Sequence, residues 1–185
     1  GQVVIQPIYK DATYFSENLA CAVEENGYPI FIDNAGNAKF TLINAKKIRV
    51  FRESRAAVLI DNKWGFIDQN GKIIIDAKFT EVSDFKEGFA VVSEKVNNEV
   101  LKGFIDKNGL MAINPQFSEA YQFNEGLALV KVEDKWGYID KTGKLIIYPQ
   151  FSDAFSFSSG MAMIEEDGEY GYINSKGIIE INPQF

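Results

Sequence analysis

Short apolar-rich runs alternate with polar turns along the chain. No stretch sustains apolar positions at the spacing of about 3.6 residues that marks an amphipathic helix. The pattern predicts strands and no long helix. One stretch shows the order. Leu127 to Val132 reads as a strand, Glu133-Asp134 as a tight turn, and Lys135 to Asp140, rich in aromatic and β-branched residues, as a second strand. Asp140-Lys141-Thr142-Gly143 then forms a turn, because Asp bonds the backbone two residues on and Gly accepts the left-handed conformation. Lys144 to Ile147 is a third strand, which Pro149 is expected to stop because it donates no ladder bond. The link from Pro149 to Gly160 returns the chain to the next unit and accommodates one helical turn at Ser152 to Phe155.

The same order recurs. Lys63-Trp64-Gly65-Phe66-Ile67-Asp68 and Lys135-Trp136-Gly137-Tyr138-Ile139-Asp140 nearly superimpose, with weaker copies from Leu101 and Glu169. Turn glycines fall at Gly1, Gly36, Gly71, Gly109, Gly143 and Gly177, spaced 35, 35, 38, 34 and 34 residues apart. Pro-Gln-Phe recurs at 115–117, 149–151 and 183–185, and Gly88-Phe89-Ala90 has copies at 126–128 and 160–162. Landmarks in one register define a tandem repeat whose single unit cannot bury its apolar face alone. Alternation along the strand puts Trp136 and Tyr138 on one face and Gly137 on the other, where a missing side chain lets a ring or backbone approach. Fifteen Phe, eight Tyr and two Trp suit a core stacked unit on unit.

The compound motif, Lys-Trp-Gly-Phe-Ile-Asp-x-x-Gly-Lys, then Pro-Gln-Phe, then an aromatic with Glu-Gly-x-Ala, resembles the bacterial WG (KWG) repeat over nearly the whole chain. The resemblance implies a repeat with no general enzymatic role, no catalytic residue to carry over, and an envelope or secreted setting. There are departures from the pattern. Pro29-Ile30 stand at the first Trp-Gly position, where proline suggests an edge or a bulge. Lys102 replaces Trp in the third unit, and Asn97-Asn98-Glu99 lengthen its first loop. The chain starts and stops inside units, and so reads as a fragment of a longer protein or as a ring whose ends complete each other.

Composition narrows the chemistry. The chain has 185 residues and a net charge of −7, the opposite of a general nucleic-acid binder. It has no His, which removes Ser-His-Asp and Cys-His catalysis and His-ligated metals. One cysteine, Cys21, forms neither an intrachain disulfide nor a thiolate zinc site and reads as a small buried hydrophobe. The run Ala56 to Ile60, among the longest apolar ones, is far too short for a membrane helix, so no membrane insertion is expected of this segment. The glycine and lysine spacing from Gly65 to Lys72 and from Gly137 to Lys144 does not meet that of a phosphate loop. Asp33, Asp68, Asp106 and Asp140 each stand singly in a turn, which suits turn capping rather than calcium, and no metal or cofactor is expected.

Two charged features remain. The first is an acidic series of turns, with Glu133, Asp134, Glu165, Glu166 and Asp167 at its end, which protects edges and can steer a basic partner. The second is the segment 46–55, where Lys46, Lys47, Arg49, Arg52 and Arg55 supply five of the 19 basic residues in the link between the first unit and the next. Such a cluster in an acidic protein suits an anionic ligand or an acidic partner surface.

The expected fold is all-β: one domain over 1–185, about five tandem three-stranded antiparallel units of 34–38 residues. An open solenoid-like or superhelical array is favoured over a closed, small propeller-like ring. Trp64, Gly65, Trp136, Gly137, Gly71 and Gly143 are structural. The expected function is non-catalytic protein–protein binding or scaffolding. Glycan or cell-wall binding through exposed aromatics such as Phe123, Phe155 and Phe157 is the alternative, and a carboxylate-based hydrolase ranks below both.

Overall fold

The computed structural model describes residues 3–184, so the turn position of Gly1 and the final Phe185 of the last Pro-Gln-Phe lie outside the described residues. Five four-stranded antiparallel sheets follow one another along the chain, none closed into a barrel. The first is β1 (Asp11–Ala12), β2 (Leu19–Val23), β3 (Pro29–Asp33) and β4 (Ala38–Thr41). The second is β5 (Lys47–Ile48), β6 (Ala56–Ile60), β7 (Lys63–Ile67) and β8 (Ile73–Phe79). The third is β9 (Glu81–Val82), β10 (Phe89–Val96), β11 (Glu99–Asp106) and β12 (Met111–Phe117). The fourth is β13 (Glu119–Ala120), β14 (Ala128–Val132), β15 (Lys135–Ile139) and β16 (Leu145–Phe151). The fifth is β17 (Asp153–Ala154), β18 (Met161–Glu166), β19 (Glu169–Asn174) and β20 (Ile179–Ile181). The chain divides into two compact units, 1–84 and 85–185, each described by itself below.

The all-β tandem expectation holds, and each unit gains a fourth strand. It is only two residues long and comes from the link that sequence left irregular. The helical turn expected at Ser152 to Phe155 is instead β17, paired with β18 through Asp153↔Glu165 and Ala154↔Ile164. Pro149 does not stop its strand either: β16 runs through it to Phe151. The reason lies across the ladder. At Gly137 a Cβ would stand 2.7 Å from both the Ile147 carbonyl oxygen and the Pro149 nitrogen. The strand bulges there, with register breaks on both sides of Tyr138. A bulge frees its residue from ladder pairing, so proline is tolerated. Gly65 faces Ile75 and Ala77 in the same way. In the first sheet Ile30 holds this position, β4 has one register break instead of two, and it ends at Thr41. The insertion at Asn97-Asn98 lengthens β10 and β11 rather than the loop, because both asparagines take positive φ in a two-residue turn.

Within each compact unit, apolar cores lie between successive sheets. In the first compact unit Phe31 of β3 packs on Phe51 of the next repeat at 5.3 Å. In the second, Phe104 meets Phe123 at 4.9 Å and Tyr138 meets Phe157 at 4.9 Å. Within each compact unit the stack expected from sequence is therefore built mainly from the strand aromatic at Phe31, Phe104 or Tyr138 and the phenylalanine ahead of the next tight turn. Trp136 joins this core, whereas Trp64 is only half-buried.

Candidate functional site

The turn residues explain much of the recurring acid. Asp140 Oδ1 accepts from the Thr142 and Lys144 amides at 2.9 and 3.1 Å, and Asp33, Asp68, Asp106 and Asn174 repeat the pattern. The Thr142 hydroxyl, with these amides, holds the Asp140 carboxyl below its ordinary range. Gly71 and Gly143 close their turns at φ +79° and +86°. These aspartates cap turns, as the sequence implied. Among the described residues no group of three or more Cys, Asp or Glu converges as a metal site.

A second carboxylate series was not legible beforehand. Glu125 accepts the Ser159 and Gly160 amides of the next tight turn at 2.6 and 2.8 Å. Glu87 accepts those of Glu125 and Gly126 at 2.7 and 3.1 Å, and Glu17 accepts that of Ser54 at 2.9 Å. Partial burial raises the Glu87 carboxyl pKa, but the Lys141 ammonium and the two amides outweigh it and leave the pKa lowered. The signal was the recurring Glu two residues after the turn phenylalanine, which at Glu17, Glu87 and Glu125 clamps a turn to the following one.

The predicted acidic residues sit where the repeat places hairpin turns. Glu133 and Asp134 are exposed between β14 and β15, and Glu166 and Asp167 are exposed at the β18–β19 turn. Glu165 is half-covered on β18, opposite Tyr170. The predicted aromatic platform is not present as drawn: Phe123 is 0 % and Phe157 3 % exposed, both spent on the core, while Phe155 is 45 % exposed.

The basic segment is not a plain link. It supplies β5 and the turn before β6, and this divides the five cations. Arg52 reaches back to the Tyr14 hydroxyl at 2.8 Å and Ser16 Oγ at 3.3 Å, and Arg55 donates to the Ser54 carbonyl at 3.0 Å. Lys46, Lys47 and Arg49 instead line a cleft of about 520 Å³ between the first and second sheets. Arg49 lies 4.8 Å over the Trp64 ring and pairs with Asp84 at 3.5 Å; Lys46 donates to Asn62 Oδ1 at 3.1 Å. The opposite wall holds Asp11, Thr13, Val23 and Pro29, with Cys21 beneath. Burial, helped by the Asp11 charge, pushes that thiol up to about 11.

Register gives the cause of this cleft. One row across the fourth sheet reads Glu119, Lys131, Trp136, and the same row across the first reads Asp11, Val23, Pro29. The residue beyond β13 is Tyr121, packed on Trp136 at 5.8 Å, and its counterpart is Thr13. Small side chains replace Trp, Lys and Tyr, and the volume they would fill is open.

Comparison with known proteins follows the same lines. A family model described as a WG containing repeat matches residues 1–28, 46–64, 64–95, 103–136 and 136–170. No curated protein sequence matches the chain. Among solved structures, Hsv2 from Kluyvelomyces marxianus is 12 % identical, with 92 % of this chain and 64 % of that one covered at a TM-score of 0.56. BamB from Moraxella catarrhalis is 9 % identical over 89 % of this chain and 60 % of that one, at 0.47. The WD40 beta propeller domain of Doa1 is 11 % identical over 93 % and 67 %, at 0.42. The chain thus spans less than two thirds of the first two structures, and the likeness to Hsv2 bears on fold alone.

Proposed function

The chain belongs to the WG-repeat family, and from that premise we propose that it is a non-catalytic module that binds a protein partner. What supports this reading most is the cleft between the first and second sheets. At the fourth sheet Trp136 and Tyr121 pack together, whereas here departures from the repeat open about 520 Å³ beside Lys46, Lys47 and Arg49. That volume lies within the range of about 300–1,000 Å³ of pockets that take small ligands, room enough for a few side chains of a partner. The exposed turns at Glu133-Asp134 and Glu166-Asp167 offer a second, oppositely charged surface that steers approach.

The test is comparative capture from the lysate of the protein's own host. The wild-type chain is compared with a Lys46→Ala, Lys47→Ala, Arg49→Ala variant and with a variant carrying Ala at Glu133, Asp134, Glu166 and Asp167. A partner recovered by wild type is expected to be lost from the first variant and weakened in the second. Equal recovery by all three chains would remove both surfaces from the function.

A further inference from the structure

We infer that the cleft between the first and second sheets is a seat for an acidic, extended segment of a protein partner. This rests on the binding-module reading and names the chemistry of its site.

The argument starts from one position in the repeat. The first, two-residue strand carries an acid there in four of the five sheets: Asp11, Glu81, Glu119 and Asp153. In the second sheet the residue is Lys47. At the junction of the third and fourth sheets this position closes the surface, because Glu119 forms an ion pair with Lys102, which stands where other units carry Trp. At the first junction both halves of such a contact are changed. Pro29 has no charge to offer, and Lys47 puts a cation where its counterparts put a carboxylate. The backbone of Lys47 is paired with Leu59 in the ladder, but its side chain makes no hydrogen bond or salt bridge among the described residues and is exposed at the cleft. Two independent departures, small for large on one wall and basic for acidic on the other, coincide at one junction.

The shape selects among anions. Ala45, Lys46, Lys47, Ile48 and Arg49 line the cleft in unbroken succession. Only Lys47-Ile48 of this run is extended, as β5, but five consecutive residues on one wall make an elongated trough, which suits a peptide better than a compact anion. Arg49, held over Trp64 and tied to Asp84, walls the trough, while Lys47 and Lys46, the latter bonded to Asn62, supply the ammonium groups that meet carboxylates. The attraction is local, since the whole chain carries a charge of −7, so binding is expected to be modest and salt-sensitive.

The experiment uses the full chain with Trp136→Phe, which leaves Trp64 as the sole indole. Its fluorescence is followed during titration with an end-capped pentapeptide of alternating Asp and Glu. Parallel titrations use the Asn/Gln isostere, inorganic phosphate and glucuronate. The acidic peptide is expected to give a saturable change, the isostere none, and the anions only weak competition. Lys47→Glu is expected to weaken binding by about tenfold or more, with Lys72→Glu, at an exposed position outside the cleft, as the charge control. Failure of the peptide to saturate, or equal affinity of Lys47→Glu and wild type, overturns the inference. Phosphate or glucuronate binding more tightly than the peptide also overturns it, by naming a different ligand. The wider binding-module reading stands or falls separately, on whether capture of a partner survives the two surface variants.

Discussion

Gly137 has no room for a Cβ, and the atoms that forbid it are backbone. A methyl group there can be accommodated only if β16 moves, because a carbonyl oxygen and a proline nitrogen do not rotate away. Gly126 makes a useful contrast: it takes φ +83° but has nothing within 4 Å of its would-be Cβ. Gly126→Ala is expected to cost about 1 kcal/mol through backbone conformation. Gly137→Ala is expected to cost about 3 kcal/mol, at the upper end of overpacking. Urea unfolding of both variants checks this, and equal midpoints would refute the steric account. The role of Gly137 was half legible. Alternation along the strand showed that something approaches it closely, but not that the something was a bulge at Ile147–Pro149, because Pro149 reads locally as a stop.

At the scale of elements, the glutamate clamps join one tight turn to the next. Each carboxylate meets backbone N–H groups, and a charged acceptor makes such bonds about twice as strong as neutral ones. The Glu87 carboxyl has a lowered pKa in the folded chain, so the folded state gives up its proton more readily than the unfolded one. Its contribution to stability is complete above the unfolded value of about 4.3 and is lost as pH falls through the lower folded value. Thermal unfolding across that acidic window is expected to show a steeper loss for wild type than for Glu87→Gln, and parallel curves would contradict the clamp. The two-residue strands at this scale were not legible from sequence. Asp11-Ala12 or Lys47-Ile48 is too short to display alternation, and their pairing is imposed by the longer strand beside them. The longer strands, by contrast, lay within a residue or so of their expected starts, as in Lys135–Ile139.

At the scale of the molecule, function is argued from where the repeat breaks rather than from where it holds. Sequence showed both breaks, Pro29-Ile30 and the basic run from Lys46, but as separate oddities of one degenerate unit. It could not show that Pro29 and Lys47 face one cleft, because strand register and sheet-to-sheet stacking bring them together over 18 residues of chain. Nor could it show that Arg52 turns away to Tyr14 and Ser16 while Arg49 stays at Trp64. The most direct measurement is an amide and indole chemical-shift map of the isotope-labelled full chain during titration with the acidic pentapeptide. The account predicts that the shifts concentrate at Asp11–Thr13, Ala45–Arg49 and the Trp64 indole. Shifts centred on Glu133-Asp134 or Glu166-Asp167, or none at saturating peptide, would contradict it.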